Sequence, residues 1–527
     1  MTLAAANAYP PRMSDLGGYA PQPDPPPASR PGQEVPGWVI GVAVVVVLAM
    51  AGALAFAILG SGGSQGPTAA PARTSSSPAR PRTSHPAPTY PAHWDKRVRP
   101  EVRLAQDARL LRFKHPVPVR FLASPAFTRA LRRDDQASAY ATQQLEHAGG
   151  LLRSFGLLDD SVDVVAATDQ FSGAAVLAYY SPETASITVR GRRITPSVKA
   201  TLVHELTHAL QDQYFHFGAR EQELSRQHQP AADAELSMLH TLAEGDAQRA
   251  EHDYEGTLTA PQLSALARAQ QREYEAAQGG MASVPAILSA LGTPYDIAEA
   301  LVTAVTEYGG DSAVAHLFRH PPQSDVVLVD PFRLWEHRST PAPVPVPKVR
   351  GGEKQVASGQ LGALAWYFVL SARLDPSQAL RTVDGWDGDA YVEYQAAGRS
   401  CVRARYEGRT RGDAHTMYGA LLQWRQAAPG SSVTVGRAGA TSVDLQTCDP
   451  GTAVTGVRDL GPAVGLVVTR TALGLSVMRS GLPPGVSRCI AGGIVQTYTL
   501  AELTDPAFAQ SHPADYTTMQ RIEARCQ

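Results

Sequence analysis

The sequence predicts an α+β fold, mainly helical with a small mixed sheet, preceded by one transmembrane helix and followed by a small disulfide-stapled region. Three observations predict it. An uncharged apolar run near the N-terminus is long enough for one helix to cross a bilayer. Short β-type segments lead into an apolar helical segment that carries His-Glu-x-x-His. The four cysteines, Cys401, Cys448, Cys489 and Cys526, all fall in the last quarter of the chain.

Residues 1–36 are rich in proline, which prevents a core and predicts a disordered or polyproline tail. The transmembrane helix is placed at 37–59, with Trp38 as an interfacial anchor. A cleaved signal would have a shorter apolar core close behind a basic start, so an uncleaved single-pass anchor is expected. Residues 60–93, rich in Gly, Ser, Thr and Pro, read as an extended linker. Arg30 on one side and Arg73, Arg80 and Arg82 on the other barely set an orientation. The cysteines set it better: an even, clustered set reads as two disulfides, with three pairings open, in an oxidising compartment. A cytoplasmic N-terminus at the cell membrane and an extracytoplasmic C-terminal part are therefore expected. Lys+Arg of 47 against Asp+Glu of 49 gives a formal charge of −2, which argues against a nucleic-acid partner.

Residues 94–430 read as one domain. Helices are predicted at 101–113, 140–155, 261–278, 297–308 (stopped by Gly309-Gly310), 361–374 and 413–426. Strands are predicted at 117–122, 162–167, 174–180 and 186–189. Residues 431–527 form the Cys-containing region, with β-like pieces at 432–435, 464–468 and 493–500.

The chemistry concentrates in Thr201 to Leu210. Thr195-Pro196 supplies an N-cap and a proline at the first helical position. His204 and His208 stand four apart, so a helix presents both imidazoles on one face, where they can grip one ion. Glu205 is displaced around the helix, suited to reach a water rather than the ion. With only 15 His in 527 residues, this spacing inside an apolar helix seldom arises by chance. A third ligand is sought in the helical segment 231–247. Glu244 is favoured, with Glu235 and His240 as competitors. Asp246 and Asp212 are candidates to orient a ligand histidine. Tyr254, Tyr308 and His316 are candidates to stabilise an oxyanion, though each also fits a packing role.

HELTHALQDQ followed by LAEGDA resembles a gluzincin-type zinc metallopeptidase, and more closely a group of bacterial, often membrane-anchored zinc peptidases. Fainter similarity lies at 178–184, 321–325 and 385–389, and the likeness spans roughly residues 98–430. The resemblance implies a zincin-like domain, with Zn²⁺ on His204, His208 and Glu244 and with Glu205 as the catalytic base. It also implies a sheet whose edge strand binds a peptide or protein substrate. The expected function is a membrane-anchored, extracytoplasmic zinc-dependent peptidase. The alternative is a catalytically inactive, zinc-stabilised scaffold or partner-binding module at the cell envelope.

Overall fold

The computed structural model describes residues 89–134, 139–168, 176–227, 230–281, 295–336, 340–428, 433–451, 454–505 and 516–526. The expected tail 1–36, the transmembrane helix 37–59 and most of the linker 60–93 lie outside the described residues.

The N-terminal half holds α1 (Arg99–Arg109), β1 (Val119–Leu122), α2 (Ser124–Asp134), α3 (Ala139–Ser154), β2 (Ala178–Ser181) and β3 (Ser186–Arg190). Next come α4 (Pro196–Phe215), α5 (Phe217–Gln227), α6 (Pro230–Gly256), α7 (Ala260–Met281), α8 (Tyr295–Arg319) and the single turn α9 (Val326–Val329). The second half continues with β4 (Lys354–Gly359), α10 (Gly362–Ser371), α11 (Pro376–Val383), β5 (Trp386–Ala396), β6 (Arg399–Gly408) and α12 (Arg411–Ala427). It ends with β7 (Thr434–Arg437), β8 (Ser442–Cys448), α13 (Gly461–Arg479), α14 (Pro484–Thr497), α15 (Leu500–Thr504) and α16 (Tyr516–Cys526).

Two sheets result. The first is mixed, in the order β1-β3-β2: β1 runs parallel to β3, and β2 lies antiparallel to β3 at the sheet edge. The second is antiparallel, in the order β4-β5-β6-β8-β7.

Two hydrophobic cores follow. One gathers α1, β2, β3 and α4 around Leu202, Val203, Leu206 and Ile187. The larger joins α3, α8, α10 and the second sheet around Trp366, Trp386 and Trp424. Helix α6 belongs to both: Met238, Leu239, Leu242 and Ala243 face the larger core, while Ala250 and Tyr254 face the smaller. Helix α4 is buried on almost every side, as its apolar run requires. Thr195 caps it by accepting the Val198 N–H, and Pro196 opens its first turn.

Several expectations change. Residues 164–168 are helical rather than strand, started by the Asp163 side chain accepting the Ala166 N–H. The pieces at 464–468 and 493–500 lie in α13, α14 and α15. A short apolar run does not tell a buried strand from a helix, and here the buried residues of α13 recur at helical spacing from Ala463 to Leu475. Helix α8 continues past the expected stop, but Gly310 (φ 69°, ψ −177°) kinks it there.

The boundary expected at 430/431 cuts through a shared sheet. β7 and β8 complete the sheet begun by β4, β5 and β6, and Cys401 opposes Cys448 across β6 and β8 and is bonded to it. Cys489 pairs with Cys526, tying α14 to α16. Among the described residues, α13 is long and apolar enough to cross a membrane. It nonetheless supplies Ala463, Val464, Leu466 and Val467 to the larger core.

One buried acid has an unusual setting. Glu393 on β5 is 2% exposed, and its Oε2 has no hydrogen-bond partner among the described residues. Gly150 of α3 leaves room for it, since a Cβ there would lie 2.1 Å from Glu393 Oε1. Burial, opposed by the Arg153 charge, lifts its pKa to about 8. The fold thus holds a proton that the unfolded chain releases at lower pH, so this group's contribution to stability is full below the ordinary Glu value and is lost up to about pH 8. Glu393→Gln should flatten the pH dependence of the unfolding free energy in urea across that window, by on the order of 5 kcal/mol. An unchanged slope would assign the titration to another group.

Candidate metal centre

Helices α4 and α6 bring the predicted ligands together. His204 Nε2 lies 3.2 Å from Glu244 Oε2, and His208 Nε2 lies 3.5 Å from the same oxygen. One donor atom from each of His204, His208 and Glu244 falls within 4.8 Å of the others, so the three can hold a metal ion. The His204 side chain is fully buried, whereas those of His208 and Glu244 are 16% and 15% exposed. The cluster is therefore closed behind His204 and open to solvent at the other two residues.

The far nitrogen of His208 is hydrogen-bonded, and that of His204 lies at ion-pair distance from an acid. His204 Nδ1 lies 3.3 Å from Glu251 Oε2, one helical stretch beyond Glu244 on α6. His208 Nδ1 lies 2.9 Å from Gln211 Oε1. The Gln211 amide donates in turn to Ala243 O and to Asp246 Oδ2, both at 2.9 Å. Asp246 therefore reaches His208 through Gln211 and does not touch it directly. Asp246 is itself fixed by Arg109 of α1, whose Nε lies 2.7 Å away. Arg109 also reaches Asp311 of α8 at 2.6 Å. Such partners set the tautomer and angle of a ligand imidazole.

Glu205 lies beside the donors without joining them. It is 3% exposed, and its Oε2 accepts the backbone N–H of Tyr180 at 2.7 Å. The Tyr180 hydroxyl donates to Asp212 at 2.7 Å, so both ends of this residue are fastened to α4. Asp212 thus positions the edge strand β2 rather than a histidine.

The remaining candidates have other neighbours. Glu235 pairs with Arg220. His240 faces Glu221 at 3.2 Å and packs beside Phe217. Tyr308 is half-exposed against Trp335, and His316 lies against His320. Tyr254 is buried in the smaller core.

The sequence reading passed over Glu251, Gln211 and Tyr295. Tyr295 opens α8, is buried, and its hydroxyl has no hydrogen-bond partner among the described residues. Burial, and then the charges of Glu244 and Glu205, push its phenol well above the ordinary tyrosine value. Nothing local distinguishes it in the sequence; only the fold sets it near these two carboxylates.

The charges of the cluster pair with one another. Burial opposes the charged imidazolium of His204, yet hydrogen bonds to Glu244 and Glu251 outweigh it and lift the pKa to about 10. Burial likewise opposes charge on Glu244, but His208 and His204 hold it well below the usual carboxylate range. For Glu205 burial prevails over the two histidines, and its pKa rises to about 7.

Gly245 explains how α8 comes so close. A Cβ there would lie 2.4 Å and 2.5 Å from the backbone C and O of Ala298. Gly245→Ala must therefore push α8 away, and should lower stability by about 1–3 kcal/mol in denaturant unfolding. Elemental analysis should find about one metal ion per wild-type chain and none in His208→Ala. Glu251→Gln, which keeps the shape but removes the charge behind His204, should weaken metal affinity about 10–100-fold in a chelator competition. Comparison of the sequence with protein-family models, with curated proteins and with solved structures finds no match, so the reading of this centre rests on its own geometry.

Proposed function

We propose that the chain is a zinc-dependent peptidase, anchored at a membrane by residues 37–59 with its catalytic part on the extracytoplasmic side. The observation that carries the reading is a base beside a three-donor site. His204, His208 and Glu244 converge from α4 and α6, and Glu205 stands next to them, held by Tyr180. Two nitrogens and one carboxylate suit zinc, and ligands about 2.0–2.1 Å from a tetrahedral ion are roughly 3.3 Å apart. The separations of 3.2 Å and 3.5 Å between Glu244 Oε2 and the two imidazoles fit that edge. Zinc held there supplies Lewis acidity, polarising a carbonyl and acidifying water.

The chain's own groups supply the rest. Glu205 takes a proton from the attacking water and returns it to the leaving amine. Tyr295 keeps its proton and has no other partner among the described residues, so its hydroxyl is available to donate to the developing oxyanion. The edge strand β2, fastened to Glu205 and Asp212, favours a polypeptide substrate, because an extended chain can pair with a sheet edge next to the base. The paired cysteines support an oxidising, extracytoplasmic setting. A scaffold that used zinc only for stability has no use for a buried carboxylate beside the ligands.

Glu205→Gln should retain about one zinc per chain and lose hydrolysis of a peptide library; full activity in the zinc-replete variant would sink the mechanism. Tyr295→Phe should keep zinc and KM while kcat falls about 10²–10³-fold. An unchanged kcat would remove Tyr295 from the reaction.

A further inference from the structure

A second site lies in the part of the chain that holds no catalytic motif. A cavity of about 320 Å³ opens between α13, α14 and α16. Arg470 of α13, Arg488 of α14 and Arg525 of α16 line it, and Asp384 is the one carboxylate in its wall. Three arginines from three helices thus line a shared space, where Arg470 pairs with Asp384 and Arg525 donates to the backbone oxygen of Arg521. Behind them Arg333 and Arg409 both donate to the backbone oxygen of Asp384, while Asp330 and Glu336 accept from Arg488. The wall itself carries three guanidiniums against the carboxylate of Asp384, with Asp330 and Glu336 pairing Arg488 from behind.

The wall is built rather than incidental. Arg470 is 5% exposed at its side chain and is fixed by Asp384 at 2.6 Å and by Val329 O. Arg488 keeps its Nε on Asp330 and Nη1 on Glu336, which aims the rest of its fork. The charges of Arg488 and Arg470 oppose each other, an opposition that Asp384 and Asp330 outweigh. Gly493 lets α16 approach, since a Cβ there would lie 2.6 Å from Ile522. The Cys489–Cys526 disulfide, itself part of the wall, fixes α16 and so fixes Arg525. Gln496 adds a neutral polar group.

We propose that this cavity binds a phosphate monoester, with Arg470, Arg488 and Arg525 around the dianion. Planar guanidinium forks match the oxygens of phosphate. The cavity is larger than a bare phosphate requires, which leaves space for a small uncharged ester group against Ile522 and the disulfide. The site shares no lining residue with the metal centre and does not depend on the proposed peptidase activity.

The test is calorimetric titration of the purified full-length chain with inorganic phosphate and with glycerol 3-phosphate, at constant ionic strength set by chloride. Saturable binding is expected, tighter for the ester. Arg525→Gln removes an exposed side chain and should keep the fold; Arg488→Lys keeps the charge on Asp330 but loses the fork. Each should weaken binding about tenfold or more, the effect of one charge-assisted hydrogen bond. Reduction of the Cys489–Cys526 bond should weaken it similarly, with metal content unchanged as the sign of an intact fold. Absence of saturable binding, or equal affinity in wild type and both variants, overturns the proposal. Binding seen only to phosphatidic acid vesicles overturns the soluble ligand and assigns the same chemistry to a lipid headgroup.

Discussion

The buried ion pair between Arg109 and Asp246 is the constraint on which the rest of the centre depends. Arg109 is 2% exposed and Asp246 is fully buried, so neither charge has water as a substitute. Removing one partner of such a pair typically costs about 3–5 kcal/mol, because the other is left as a lone buried charge. From Asp246 the order passes to Gln211, from Gln211 to His208, and so to the cluster. From Arg109 it passes to Asp311, which ties the segment beyond the α8 kink to the same point. A single guanidinium thus coordinates three helices whose side chains or neighbours define the site.

This arrangement sits on a seam. Helix α4 belongs to the smaller core and α8 to the larger, while α6 contributes to both. Glu244, Gly245 and Asp246 are three consecutive residues with three separate tasks. One presents a donor atom, one admits the backbone of α8, and one receives Arg109. The polar network is buried because the two cores close over it, and the cores meet there because Gly245 carries no side chain. Each condition supports the other.

Much of this was legible in the sequence and some was not. The pair His204 and His208 follows from helical spacing, and the Thr195-Pro196 start follows from capping chemistry. Glu244 was reachable because a ligand was required and the segment 231–247 offered few donors. Glu251 was not, because it lies a further seven residues along α6 and looks like any solvated helix charge until the fold sets it against His204. Tyr295 is invisible for the same reason: its meaning comes from partners some fifty and ninety residues away. The helices near the C-terminus were misread as strands because Val-rich runs satisfy both patterns when short. The pairing of β6 with β8 across residue 430 was not legible, because such hydrogen bonding leaves no trace in composition.

The Arg109 link also bears on the order in which the molecule can mature. Arg109, the pair His204 and His208, Asp246 and Asp311 come from four separated stretches, and the span that they close exceeds two hundred residues. Loop-closure entropy must be met before any of these contacts stabilises the chain. As the polypeptide emerges from its N-terminus, the histidines appear before Asp246, which joins Gln211 to Arg109. A nascent chain that has not yet reached Asp246 carries both imidazoles and the base but lacks the frame around them. The same ion pair that gives the finished molecule its geometry therefore delays that geometry until most of the N-terminal half has been made.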